Sequence, residues 1–303
     1  LASKWVRQEL KHAKKLFEQG NIIRLYPIII DDKIVTPEIE RTLISLKNEN
    51  IIPITYKEAK KEFNSNSLLI ITDTNVSKRL QNKNLVNFKN KIIIDHHIKT
   101  LDSITDALYE WIDVKSSSAC EMVLTILKKY DIEIPSIIAT IMLAGMYIDT
   151  NGFLLKTTKN THKYASLLYE FGADNIEVQY LLKQNFREFK RRQKITTNAE
   201  FYGKIAIGSS KYRYTSIELA KASDVMLTFN GIEASFTIAK LDDNTIGISA
   251  RSLGNINVAS VMQKFNGGGH RTDAACQIRS NSVSKVKEEL LGYIGGLNES
   301  NIY

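Results

Sequence analysis

Two short apolar runs, each halted by an aspartate, constrain this chain most. Residues 68–72 (Leu-Leu-Ile-Ile-Thr) stop at Asp73, and residues 91–94 (Lys-Ile-Ile-Ile) stop at Asp95. A further run at 28–30 ends in Asp31-Asp32. Between and after them come stretches with helical spacing, at 37–48, 118–130 and 137–147. Apolar strands that alternate with helices need crossover connections, and these lay the strands side by side in parallel. Ligands of such open sheets bind beyond the carboxyl ends of the strands, which is where these aspartates fall. The expectation is an α/β protein whose first domain is a doubly wound parallel sheet.

The 303 residues suggest about two domains. Residues 3–19 read as a helix, with Trp5, Val6, Leu10, Ala13, Leu16 and Phe17 at helical spacing and Gly20 as its stop. The polar, basic stretch 186–194 (FREFKRRQK) reads as a helix between domains. After it, strand-like segments at 204–207, 212–216, 234–241 and 245–249 precede helices near 258–264 and 283–297. This gives a connector helix at 1–20, a first domain at 21–185, a linker helix at 186–198 and a smaller α/β domain at 199–303. The composition, 43% hydrophobic and 24% charged, is that of an ordinary globular protein. No apolar run approaches the ~20 residues that cross a bilayer, and the Lys-rich start has no apolar core, so no signal peptide is expected. The two cysteines, Cys120 and Cys276, stand in unrelated contexts, which fits a reducing cytoplasm. The net charge of +8 is scattered over helix faces and suits a small polyanionic substrate as well as plain solubility. There is no aromatic-plus-basic stripe of the single-strand-binding kind, so long nucleic acid is not an expected partner.

Asp95 is followed at once by His96 and His97, and Asp149 follows the apolar helical run 141–148. Carboxylates and imidazoles together suit a divalent transition ion, and a pair of such ions clamps the attacking and leaving oxygens of a phosphoryl group. A single aspartate at a strand end is more often a cap or turn residue; Asp-His-His directly after four apolar residues is rarer. Further along, Asn266-Gly267-Gly268-Gly269-His270 reads as a glycine loop that lets backbone N–H groups approach an anion. Arg251, placed just after a strand, offers a fork for phosphate.

In this order the segments resemble the DHH phosphoesterase family with its DHH-associated C-terminal domain, and within it the catalytic module of GdpP-type cyclic-di-AMP phosphodiesterases. The segments that carry the resemblance are Ile71-Thr72-Asp73-Thr74, Ile94-Asp95-His96-His97, Ser116-Ser117-Ser118-Ala119-Cys120-Glu121 and Ala144-Gly145-Met146-Tyr147-Ile148-Asp149-Thr150. The second half adds Ile248-Ser249-Ala250-Arg251-Ser252-Leu253-Gly254 and Gly267-Gly268-Gly269-His270-Arg271-Thr272-Asp273-Ala274-Ala275. The resemblance implies that Asp73 bridges two metal ions, most readily Mn²⁺, and that His96 and Asp149 bind the second. It implies that Asp95 orients an imidazole and that His97 faces the scissile phosphate. Arg251, Gly267, Gly268, Gly269 and His270 would hold the substrate from the second domain, with catalysis in the cleft between domains. The implied reaction is hydrolysis of cyclic di-AMP to linear pApA. Cleavage of short RNA or phosphoadenosine phosphate is the family alternative, and nucleotide binding without turnover the non-catalytic one. A homodimer is compatible with the resemblance. The first helix resembles the connector to upstream domains, a membrane anchor among them, so the expected setting is the cytoplasm, free or on such an anchor.

One departure stands out. The family's first motif, His-x-x-x-Asp-x-Asp, supplies further metal ligands, and none of the five histidines, His12, His96, His97, His162 and His270, is followed by it. A strand, a metal loop and a helix of the family pattern have no counterpart between Gly20 and Leu25. Asp31-Asp32 sit at the end of the wrong strand to replace them.

Overall fold

The computed structural model describes residues 28–29, 37–49, 51–80 and 82–296, and the chain divides into two units, 1–183 and 184–303. The helix expected at 3–19, the segment from Gly20 to Leu25, and Asp31-Asp32 lie outside the described residues. Among the described residues, no helix is long and apolar enough to cross a membrane.

The first unit opens with β1 (Ile28–Ile29), α1 (Pro37–Asn48) and β2 (Ile54–Thr55), and β1 pairs with β2 in parallel. A second parallel sheet has the order β3 (Leu69–Thr72), β4 (Lys91–Asp95), β5 (Tyr109–Ile112). The pleat sends alternate residues to opposite faces. Leu69, Ile71 and Ile93 meet Leu85 and Ile104 in one apolar cluster, while Ile70 turns outward. Lys91 heads β4 fully buried. Its ammonium is tolerated because it donates to Val86 O (2.7 Å), Phe88 O (2.9 Å) and Asp106 Oδ2 (2.8 Å). Parallel register, with Ile71 opposite Ile93 and Thr72 opposite Ile94, brings the carboxyl ends of β3 and β4 together.

Four helices follow: α3 (Ala119–Lys129), α4 (Ser136–Asp149), α5 (Lys159–Glu170) and α6 (Asn175–Leu181), after the single turn α2 (Tyr56–Ala59). They share a core of Leu124, Leu143, Met146, Leu168 and Leu181. Ser118 caps α3 through the backbone N–H of Glu121. Glu121 is buried because Ser117 Oγ (2.6 Å) and Thr161 Oγ1 (2.8 Å) donate to it. Arg41 ties α1 to the end of α6 through the carbonyl of Leu181 (3.0 and 2.7 Å). Strand β5 and helices α5 and α6 have no counterpart in the sequence reading. Asp149 is the last residue of α4 rather than a residue beyond it.

The second unit begins with α7 (Phe186–Thr197), the basic helix expected between domains. It buries Ile195 against Leu219 and Ala222, and Arg191 donates to Glu218 at 2.7 Å. Gly208 allows this contact, since a Cβ there would come within 2.6 Å of Ile195 Cγ2. The six-stranded sheet has the order β10-β11-β9-β8-β7-β6, all antiparallel except β7 with β8. These strands are β6 (Glu200–Tyr202), β7 (Ile205–Arg213), β8 (Ala234–Lys240), β9 (Thr245–Ser252), β10 (Gly268–Gly269) and β11 (Asp273–Arg279). One face packs Phe236, Ile238 and Ile248 on α9 (Val258–Gln263) and α10 (Val283–Gly296). The other meets α8 (Ser216–Leu227) through buried hydroxyls that are all bonded, Thr237 to Leu219 O (2.7 Å) and Ser235 to Ser223 O (2.8 Å) among them.

Three expectations change here. The strand expected at 212–216 is the end of β7 followed by the start of α8. Thr215 and Glu218 form a capping box that begins a helix where the aromatic residues favour a strand. Strand β9 runs through Ser252, so Arg251 lies within it rather than after it. The glycine loop is half of a hairpin: Gly268 and Gly269 pair with Ala275 and Ala274, and His270 N donates to Asp273 O at 2.6 Å. Strand β11 escapes sequence reading because Asp-Ala-Ala-Cys-Gln-Ile-Arg is weak in β-branched residues. It forms by pairing along its whole length with β9.

Candidate metal centre

The ends of β3 and β4 supply four of the side chains, Asp73, Asp95, His96 and His97, and the end of α4 supplies Asp149. Asp73 follows β3 with φ of 64°, a left-handed conformation that aspartate tolerates better than most residues, while its N–H continues the sheet by donating to Ile94 O at 3.0 Å. Asp95 closes β4 and is fully buried. Its Oδ1 accepts from His97 Nδ1 (2.7 Å) and His97 N (3.1 Å), and its Oδ2 accepts from Asn75 Nδ2 (2.7 Å). Burial alone would raise the Asp95 pKa, but the two His97 donors and Asn75 outweigh it and hold the carboxyl below its ordinary value. The ionised Asp95 can only accept at this contact, so the proton between them sits on His97 Nδ1 and Nε2 is the other nitrogen of that ring.

His96 lies beside His97, ring centroids 4.4 Å apart. Its Nε2 is 3.2 Å from Asp73 Oδ1 and 3.8 Å from Asp149 Oδ2. That nitrogen is buried and is aligned in no hydrogen bond. Burial opposes a charge on the ring, but Asp73 and then the charges of Asp149 and Asp95 prevail and raise its pKa. Asp149 is itself pushed up to about 6, first by burial and then by the charge of Asp73. Beneath it, the Cys120 thiol is pushed up to about 12 by burial and by the same two carboxylates. Gly145 lets α4 come this close to α3, since a Cβ there would stand 2.9 Å from Cys120 Sγ.

These features fit a divalent cation. Asp73, Asp95, His96 and His97 each offer a ligand atom, all within 4.8 Å of one another. Asp95 is the least available of them, because its oxygens already accept three hydrogen bonds. Asp149 reaches the group through His96, 3.8 Å away, as a carboxylate shielded from water and then crowded by the charge of Asp73. Asp73 Oδ1 and Asp149 Oδ2 thus flank His96 Nε2, an O and N donor set of the kind a divalent transition ion takes. The sequence reading missed Asn75, which also donates to His97 O (3.1 Å) and accepts from Ser103 Oγ (2.5 Å). Its only signal is its place two residues after Asp73, where an asparagine reads as a turn former.

The remaining expected residues lie in the second unit. Arg251 is mostly buried, with Nε 2.8 Å from Asp224 Oδ1 and 3.2 Å from Asp273 Oδ1, and Nη1 donating to Ala250 O (3.0 Å). Two of the glycines serve the hairpin. A Cβ would fall 2.3 Å from Ala275 O at Gly267 and 2.2 Å from Asp273 O at Gly269, whose φ is +147°. Gly268 faces open space.

Fold and cluster together define a two-unit α/β protein with a carboxylate–imidazole centre at the ends of parallel strands. The DHH family N-terminal domain matches residues 7–146, and the DHHA1 domain matches residues 202–296. The chain belongs to the DHH family. It is 32% identical over 277 residues to the cyclic-di-AMP phosphodiesterase PdeA of Listeria monocytogenes, covering 88% of this chain and 42% of that protein. It is 34% identical over 274 residues to the cyclic-di-AMP phosphodiesterase GdpP of Bacillus subtilis, covering 87% of this chain and 42% of that one. The chain thus spans less than half the length of these relatives. The same fold occurs in an exopolyphosphatase-related protein from Bacteroides fragilis, with a TM-score of 0.71, 19% identity, and coverage of 95% of this chain and 96% of that one.

Proposed function

We propose that this chain is a metal-dependent phosphodiesterase module that hydrolyses cyclic di-AMP to linear pApA in the cytoplasm. The observation that carries this reading is the buried, unbonded Nε2 of His96 set between Asp73 and Asp149, beside an imidazole whose proton Asp95 fixes. The names of the two relatives support the substrate. Asp73, His96 and Asp149 would hold a divalent ion, with Mn²⁺ the preferred one. Bound there, the ion supplies Lewis acidity toward a phosphoryl oxygen and toward water. The resemblance implies two ions per site; among the described residues this ligand set suffices for one.

The residues of the chain then have separate tasks. Asp95 holds His97 with Nδ1–H inward, so that Nε2 faces the reacting phosphate and, when protonated, donates to its oxygen. Asn75 fixes Asp95 and the His97 carbonyl, which keeps the imidazole from turning. In the second unit, Gly268 offers open backbone, and His270 and Arg251 are the side chains proposed to hold the nucleotide. Hydrolysis consumes one water, breaks one P–O3′ bond and leaves a 5′-phosphate and a free 3′-hydroxyl.

The test is purified protein with Mn²⁺ and cyclic di-AMP, with pApA resolved by chromatography. Turnover that disappears in His96→Ala supports the reading. Absence of turnover on cyclic di-AMP together with cleavage of short RNA or phosphoadenosine phosphate would replace the substrate and keep the enzyme. Dinucleotide binding with no cleavage of any of the three would leave a binding module.

A further inference from the structure

The turn that follows the two histidines is stitched to the segment that follows β3. Val76 and Ser103 pair as an isolated antiparallel bridge, Ile104 N donates to Asn75 O (2.8 Å), and exposed Lys78 and Asp102 form an ion pair (2.9 Å). Along this seam runs a chain of hydrogen bonds with a single direction. Thr100 N can only donate, so Ser103 Oγ accepts from it (2.8 Å) and keeps its own proton to give. That proton goes to Asn75 Oδ1 (2.5 Å). Asn75 is 1% exposed, and its amide nitrogen directs both hydrogens at groups that can only accept, Asp95 Oδ2 (2.7 Å) and the carbonyl of His97 (3.1 Å). Asp95 accepts in turn from His97 Nδ1 (2.7 Å). The orientation of the imidazole is thus tied, through a carboxylate and an amide, to a hydroxyl on the turn.

We propose that Ser103 is a positioning residue for the His97 imidazole, acting through Asn75 and Asp95. The proposal rests on the phosphodiesterase reading, in which His97 faces the scissile phosphate. Without the hydroxyl, the amide oxygen of Asn75 loses this donor, and a buried acceptor left unpaired is costly. The amide then turns toward whatever donor or water it can reach. The same rotation takes its hydrogens off Asp95 and off the His97 carbonyl, so the carboxylate and the backbone that present the ring loosen together. The competing role is a hydroxyl that only closes the turn, which would leave the ring as it is.

The experiment compares wild type with Ser103→Ala, Ser103→Cys, Ser103→Thr and Asp102→Ala. Long-range nitrogen–proton correlation spectra of the full chain with diamagnetic Mg²⁺ report the tautomer of the His97 ring, and steady-state kinetics with Mn²⁺ and cyclic di-AMP report kcat and KM. Expected are one Nδ1–H tautomer in wild type and a mixture in Ser103→Ala and Ser103→Cys, where the donor is lost or weak. Ser103→Thr, which keeps the hydroxyl, should restore the wild-type spectrum. In Ser103→Ala kcat should fall about tenfold with KM within about twofold, the low end of what losing an outer partner does, and Ser103→Thr should recover it. Ser103→Ala should have no further effect on kcat in an Asn75→Ala background, because it acts through that amide. Asp102→Ala loosens the same turn, leaves the hydroxyl in place and should change neither readout. A His97 tautomer unchanged in both Ser103→Ala and Ser103→Cys, an equal change in Asp102→Ala, or an undiminished effect on kcat in the Asn75→Ala background would each overturn the proposal. A wild-type protein without turnover sinks the phosphodiesterase reading, while the spectra still decide whether Ser103 positions the ring.

Discussion

Two carboxylates withdrawn from water, one in each unit, are pushed in opposite directions. Glu218 in the second unit would be raised by burial, but Arg191 and the N–H and hydroxyl of Thr215 outweigh that and hold it below its ordinary value. Asp149 in the first unit is raised to about 6 by burial and by Asp73, with His96, His97 and Lys156 too weak to offset them. The second unit surrounds its buried acid with donors, so the acid is part of the framework. The first unit gathers acids and imidazoles around a buried nitrogen aligned in no hydrogen bond, an arrangement that a cation would complete.

The largest effect expected from this contrast is on metal binding. His96→Ala should weaken Mn²⁺ binding by well over the ~100-fold typical of losing an outer partner of a metal ligand. With Mn²⁺ at about 100 times its Kd, wild type should gain about 2.7 kcal/mol of stability, and the variant should gain nothing. Glu218→Gln should leave the Mn²⁺ titration unchanged. If Glu218→Gln weakened it as much as His96→Ala, the division between framework acid and ligand acid would break.

A second test sharpens the contrast within the glycines. Gly267→Ala and Gly269→Ala each drive a Cβ into a backbone carbonyl, 2.3 and 2.2 Å away, and should cost about 2–3 kcal/mol in denaturant unfolding. Gly268→Ala meets nothing within 4 Å and should change stability by less than about 0.5 kcal/mol while weakening nucleotide binding. A strongly destabilised Gly268→Ala would return all three glycines to a structural role.

These positions also mark how far a sequence reading reaches. Strands β3 and β4 were legible because each is an unbroken apolar run, and parallel pairing then dictates that Asp73 and Asp95 share one edge. That His96 points at Asp149 was open to resemblance alone, since no local pattern relates a strand end to a distant helix end. Asn75 was illegible because its amide does its work across the sheet, on Asp95 and on the carbonyl of His97, while its place in sequence says only turn. The glycine run was legible as a close approach, but what approaches Gly267 and Gly269 is β11, a strand whose alanines and polar residues carry little β signal of their own.

Next in size is the Asp95→Asn replacement. An amide offers one acceptor oxygen in place of two and no charge, so it can serve His97 or Asn75 but not both. His97 would then lose its fixed tautomer, and kcat should fall about 10–100-fold with Mn²⁺ affinity less affected. Steady-state kinetics alongside metal calorimetry separates the two. An Asp95→Asn protein that lost Mn²⁺ as His96→Ala does would make Asp95 a ligand after all.

The smallest expected effect lies in the second unit and depends on pH. A carboxyl whose folded pKa is depressed contributes stability that is fully present above its unfolded value, near 4.5 for Glu218, and is lost as pH falls through the lower folded value. Asp149 has the opposite sign in the metal-free protein: being raised, it favours the folded state at low pH and loses that contribution as pH rises from about 4 toward 6. A single stability curve mixes the two, so the informative quantity is the difference between wild type and Glu218→Gln in urea unfolding at several pH values. Glutamine keeps the shape and one acceptor of the capping box but cannot form the ion pair with Arg191, so the difference at pH 7 should be about 1 kcal/mol. It should shrink toward zero below pH 4.5 and be indifferent to Mn²⁺. A difference that persisted unchanged into acid would mean that Glu218 acts through packing and that its contrast with Asp149 is not one of charge.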